Sequence, residues 1–251
     1  IADIDLGDHY WTPIGINSDE GVFFTGEFDG GGYTVTNLNL AEQPEEQDIT
    51  VYSGLFGYTG GYIHDLKLVN VDVQISHTGK FKLYSGSAAG YLADGGILEN
   101  ISVLSGADEE SASQAQYDFK STTRTVTSSG GGPGGGQTQT STQIAAATAY
   151  LGGVAGYADN TEAAILSCDS DMDIYASGDV THMCIGGIVN GGSEVSSCTN
   201  RGNIVSAAAV TDENASDGSG YIALGGILGC TTMYTTVTGC SNTGTLRGIP
   251  L

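Results

Sequence analysis

Short apolar runs that alternate with polar residues and stop at Gly, Asn or Asp recur from one end of this chain to the other. The clearest run from Ile63 to Val73, Leu98 to Leu104, Leu166 to Ile174, Val195 to Ile204 and Val237 to Leu246. Alternation turns every second side chain to one face of an extended strand, so each run predicts a strand with one face on a core. No long stretch carries apolar residues at helical spacing.

A short signature precedes each run: Gly54-Leu55-Phe56-Gly57, Ser87-Ala88-Ala89-Gly90, Gly153-Val154-Ala155-Gly156, Gly187-Ile188-Val189-Asn190 and Gly226-Ile227-Leu228-Gly229. Its last positions, 57, 90, 156, 190 and 229, lie 33, 66, 34 and 39 residues apart. Self-similarity at this period predicts stacked coils that bury a continuous core. The expected fold is therefore all-β: a right-handed parallel β-helix (solenoid) over 1–251. It has an N-terminal capping coil over 1–51, and extra sequence over 107–147 accounts for the doubled interval.

Stacking converts equivalent positions into ladders about 4.8 Å apart. Cys168, Cys198 and Cys240 occupy the column held by Leu66 and Ile101 in earlier copies, which predicts inward thiols. Stacked Cβ vectors run side by side, so these three are expected to be free and buried. Cys184 and Cys230 fall outside that column, and the absence of any CxxC pair gives no support for a thiolate metal site. Tyr58, Tyr91 and Tyr157 share a column directly after the signature. Such a strip either packs or, facing water, forms a platform for sugars. Trp11, the sole Trp, either caps the core or joins that ligand-binding set.

The 107–147 segment opens with Asp108-Glu109-Glu110 and then carries two Thr-rich runs, Ser121 to Ser129 and Gln137 to Gln143, flanking Gly130 to Gly136. β-prone arms around a Gly-rich turn predict an inserted β-hairpin arm, whose exposed edges could pair with a partner.

Composition narrows the function. Forty Gly with four Pro suits many turns, and 29 acidic against 7 basic residues leave a net charge of −22. That charge repels phosphate, so nucleic acid is excluded as a partner, as is an anionic membrane surface. No run approaches the 18 to 20 apolar residues, roughly, of a spanning helix, and direct membrane insertion is not expected. The chain opens on Ile1 and reads as a processed or excised piece, with its anchor and further domains elsewhere.

Catalytic motifs are missing. His9, His64, His77 and His182 are scattered and none begins HExxH; neither a GxSxG elbow nor a P-loop occurs. Paired carboxylates for glycoside hydrolysis could arise by chance among so many acidic groups, so a carbohydrate-active β-helix enzyme, a polysaccharide lyase or glycoside hydrolase, is the alternative to a binding module. The best acidic constellation is Asp169-Ser170-Asp171-Met172-Asp173, where alternation puts three carboxylates on one face. Their repulsion could be relieved by Ca²⁺, which makes Asp169, Asp171 and Asp173 candidate metal ligands. Asp29, before a run of Gly, reads as a turn residue.

Four linked motifs, Trp11-Thr12-Pro13-Ile14-Gly15, Phe24 to Val35 (FTGEFDGGGYTV), Asn37-Leu38 and Tyr52 to Gly57 (YSGLFG), resemble the GLUG-motif repeat proteins. These occur in bacterial surface proteins, including the non-catalytic repeat region of IgA-cleaving metallopeptidases. Ser87 and Asn190 depart from the motif. The resemblance implies a secreted, extracellular cell-surface module, adhesin-like or a stalk, that binds a host or matrix glycan or protein.

Overall fold

The computed structural model describes residues 2–15, 23–42, 48–106, 112–129, 138–211, 220–231 and 234–249. Among them there is no helix, and parallel strands stack coil on coil. Tyr62–Thr78 is the longest rung: Thr34–Glu42 pairs along one edge, Ile97–Leu104 and Gln114–Lys120 along the other. The succession continues through Ala164–Leu166, Asp169–Ser170 and Asp173–Gly186, then Glu194–Ser196, Thr199–Asn200 and Ile204–Val210. It ends on Thr236–Thr238, Ser241–Asn242 and Leu246–Gly248. A second arc stacks Ile49–Ser53, Phe81–Ser85, Ala147–Gly152, the end of Asp173–Gly186 and Tyr221–Gly225. The signature itself forms a third arc, Phe56–Thr59, Ala89–Leu92 and Ala155–Ala158, extended by the bridges Ile14↔Phe56 and Val189↔Leu228. The fold is a parallel β-helix.

One corner of each coil explains the sequence pattern. Asp65, Asn100, Ser167, Ser197 and Gly239 all adopt left-handed φ, between 53° and 62°. Only Gly and short polar side chains visit that region readily. The bend interrupts strand alternation, so inward residues fall three apart across it: Ile63 and Leu66, Leu98 and Ile101, Ile165 and Cys168, Val195 and Cys198, all buried. The cysteine column forms as expected. Cys168 and Cys198 are buried, Cys240 is half-buried near the open end, and all three are free.

The projecting arm is shorter than 107–147. Gln114–Lys120 shows strictly alternating burial and is a rung of the helix, with Ala115, Tyr117 and Phe119 inside. The arm proper is the antiparallel hairpin of Thr122–Ser129 with Thr138–Ala145, in register from Thr122↔Ala145 to Ser129↔Thr138. At its base the Ser121 hydroxyl donates to Asp179 at 2.7 Å. The Gly130 to Gly136 turn and Asp108-Glu109-Glu110 lie outside the described residues. The N-terminal cap is likewise shorter than 1–51, because Glu27–Asp29, Thr34–Glu42 and Ile49–Ser53 already belong to a complete coil. The cap is the first, irregular turn, where Trp11 packs on the core and donates its Nε1 proton to Leu55 O at 3.0 Å.

Candidate functional site

Two strands meet at the signature, and the glycines there answer to close backbone approach. A Cβ on Gly90 would lie 2.7 Å from both Gly57 O and Ser53 N, and one on Gly57 would lie 2.7 Å from Gly15 O. With no side chains in the way, the outer faces of the two strands fold toward each other. The side chains that flank the glycines then meet across the corner.

Those side chains are tyrosines. The expected column of Tyr58, Tyr91 and Tyr157 forms, in register between coils. A second column, Tyr52, Tyr84 and Tyr150, rises opposite it on the preceding strands. Within columns the rings stack: Tyr58 on Tyr91 at 4.9 Å and 3°, Tyr52 on Tyr84 at 5.5 Å and 4°. Between columns they meet edge to face, with Tyr52 against Tyr58 at 86° and Tyr84 against Tyr91 at 84°. Both are favoured aromatic geometries, and together they build a six-ring herringbone. Tyr84 is buried at its centre, and the other five are half-buried.

Polar groups rim this patch. The Tyr91 hydroxyl donates to Asp159 Oδ2 at 3.2 Å, and Asn160 Nδ2 donates to the Tyr157 oxygen at 2.5 Å. The Lys82 ammonium sits 4.8 Å from the Tyr84 ring centre and 5.6 Å from that of Tyr150, a cation–π arrangement. Burial pushes the phenols of Tyr84, Tyr91, Tyr150 and Tyr58 above the ordinary tyrosine value, and the Asp159 carboxylate adds to the rise at Tyr91. Burial lowers the Lys82 ammonium. Those four phenols thus stay neutral beyond the ordinary tyrosine range, and the patch offers ring edges, hydroxyls and one cation.

In the next two coils the same corner changes chemistry. Cys184 stands in the column of Tyr150, and Cys230 follows Gly229 as Tyr157 follows Gly156. The two form a disulfide with Cα atoms 5.7 Å apart. Asn190, in the last signature position, turns inward and donates Nδ2 to Leu151 O at 2.9 Å and Gly156 O at 2.8 Å. The other departure, Ser87, is buried and donates to Gly153 O at 2.7 Å. Both substitutions place a buried side-chain donor on a carbonyl of an adjoining coil.

The remaining expectations fall elsewhere. Trp11 is partly buried against the core, with its indole proton on Leu55 O of the first signature. Asp169, Asp171 and Asp173 do share the outer face, with Ser170 and Met172 buried behind them. One cation and one amide meet them: Arg201 Nε lies 2.6 Å from Asp171 Oδ1, its Nη1 3.8 Å from Asp169 Oδ1, and Asn203 donates twice to Asp173 Oδ1. Among the described residues, only Asp29, His64 and Asp65 bring three ligating atoms within 4.8 Å of one another.

The second tyrosine column and the disulfide were both legible in principle. Tyr84, Tyr150 and Cys184 each stand two residues before a glycine of the corner, Gly86, Gly152 and Gly186, and Tyr52 stands two before Gly54. Alignment on those glycines puts Tyr52, Tyr84, Tyr150 and Cys184 in one column, and Cys230 follows its signature as Tyr157 does. No protein-family model, curated protein or solved structure matches this chain.

Proposed function

We propose that this chain is a non-catalytic, secreted bacterial cell-surface module, adhesin-like or a stalk, whose tyrosine corner binds a glycan or protein partner. The observation that carries the reading is the six-ring herringbone with its polar rim of Lys82, Asp159 and Asn160. Tyrosines in fixed positions supply broad contact area with little rotamer entropy left to lose, and their hydroxyls add directional hydrogen bonds. A net charge of −22 disfavours sulfated or uronate-rich glycans, so a neutral or basic partner fits best. The Cys184–Cys230 bridge suits an oxidising location outside the cytosol. The resemblance to GLUG-motif repeats points the same way.

The test is a screen of the purified chain against neutral and acidic glycans and extracellular-matrix proteins, alongside Tyr58→Ala and Tyr157→Ala variants. Binding that falls at least tenfold in variants of unchanged melting temperature supports the corner as the site. Binding unchanged in both removes it.

A second reading, a glycoside hydrolase, rests on one feature: a shallow groove of about 200 Å³ where Asp8 and Asp72 share walls with the exposed Tyr10. Sugar release during the same screen, abolished by Asp72→Asn, would establish it in place of the module.

A further inference from the structure

We infer that Asp29, His64 and Asp65 bind a single divalent transition-metal ion of the zinc class. The three come from neighbouring coils. Glu27–Asp29 pairs with Tyr62–Thr78 so that Asp29 stands directly opposite His64, one strand spacing away. Asp65 is the left-handed corner residue, φ 53°, and that bend suspends alternation, leaving His64 and Asp65 both on the outside. Two consecutive residues of one strand therefore serve one site.

Distances fit a metal. His64 Nδ1 lies 2.9 Å from Asp65 Oδ2 and 3.8 Å from Asp29 Oδ1. Those values bracket the separation of about 3.3 Å between ligands in a tetrahedral site with bonds of about 2.0–2.1 Å. The supporting contacts are of the kind metal ligands require. Glu27 Oε1 lies 3.3 Å from His64 Nε2, an acceptor for the Nε2 proton once Nδ1 exchanges its 2.9 Å hydrogen bond with Asp65 Oδ2 for the ion, the carboxylate–histidine–metal pattern. The Tyr62 ring stacks on the imidazole at 4.3 Å and 20°, and its hydroxyl donates to Glu99 at 2.5 Å, which fixes the ring plane. Asn100 Nδ2 donates to Asp65 Oδ1, leaving Oδ2 for the ion. Gly31 N donates to Asp29 Oδ1 at 2.7 Å, so the turn role of Asp29 also orients its carboxylate.

One imidazole with carboxylate oxygens suits Zn²⁺, Co²⁺ or Ni²⁺ better than Ca²⁺, which takes oxygen ligands only. The site is half-buried at His64, whose side chain is 13% exposed, and open to water at Asp29, 60% exposed. It lies on a different arc from the tyrosines and does not depend on the function proposed for them.

The experiment is calorimetric titration of the chelator-treated chain with Zn²⁺, under excess Mg²⁺ to suppress diffuse binding to the acidic surface, with Co²⁺ absorption as a second readout. One saturable ion per chain is expected, with nitrogen and oxygen ligation. His64→Gln and His64→Ala, checked for an unchanged melting temperature, abolish it. Glu27→Gln weakens it about 10- to 100-fold, as loss of an outer-sphere carboxylate does, and Asp171→Asn leaves it unchanged. Zinc binding equal in His64→Gln and the parent chain overturns the site. So does displacement by Mg²⁺, or a thiolate charge-transfer band assigning the ion to the Cys168, Cys198 and Cys240 column.

Discussion

The signature corner is solved twice in this molecule. In the coils from Ile49 to Ala158 two tyrosine columns interlock across it, with rings stacked at 4.9 to 5.5 Å within a column. In the following coils one covalent bond, Cys184–Cys230, crosses the same corner, and the buried Asn190 occupies the last signature position. The backbone problem is common to both halves: two outer strand faces brought together over glycines. What differs is how many side chains hold them. Six rings hold the first half through dispersion and quadrupole contacts that every added coil extends. The second half is held by a single linkage that ends the ladder.

The largest effect should come from the feature both halves share. In the tyrosine half, Gly90→Val places a Cβ 2.7 Å from two backbone atoms of the preceding coil. Backbone cannot yield as a side-chain tip can, so a loss of more than about 4 kcal/mol, or failure to fold, is expected by denaturant titration. The change at Asn190, to Gly, instead removes three buried hydrogen bonds and should cost about 1–3 kcal/mol. Equal effects at the two sites would break the comparison.

Next in size is the bridge. Replacing Cys184 and Cys230 by Ser should cost about 2–4 kcal/mol, since the bridge closes a 46-residue separation. Hydrogen exchange should rise in the strands from Asp173 onward while the tyrosine coils keep their protection. A loss spread evenly along the stack would mean that the two halves do not differ in how they are held.

Much of this was readable from residues alone. Alternation and the repeated signature predict coils, and the match of Cys168 with Ile101 and Leu66 predicts an inward column, because both follow from a strand's period of two. The left-handed corner at Asp65, Asn100, Ser167 and Ser197 was not readable, since Asp, Asn and Ser are equally at home in ordinary turns. Gln114–Lys120 falls within the expected insertion for a related reason: its polar Gln, Asp and Lys lie among acidic and Thr-rich sequence that masks a strict alternation. The Asp29, His64 and Asp65 group had no local signal at all. Its members lie on coils whose relative register fixes which residues touch, and Asp29 beside Gly has a sufficient explanation as a turn.

A smaller effect sharpens the difference further. Tyr91→Phe keeps the ring and removes only the hydroxyl that donates to Asp159, so a cost of about 0.5–1.5 kcal/mol is expected, confined to the tyrosine half.

The subtlest test uses base. Burial raises the phenols of Tyr84, Tyr91 and Tyr150 above their value of 10.0 in an unfolded chain, so between the two values the folded state holds more protons than the unfolded one. Stability gained this way is intact below pH 10 and falls as the pH climbs above it, because the unfolded tyrosines ionise first. Denaturation midpoints should therefore decline above pH 10. Tyrosinate absorbance should show these three titrating above the ordinary tyrosine value. At the bridged corner the phenol beside Cys184 Sγ is Tyr221, which is exposed where the herringbone rings are packed. Local exchange rates there should respond to base less than those of the herringbone coils, and a uniform response would show that tyrosine ionisation is not what loosens the first half.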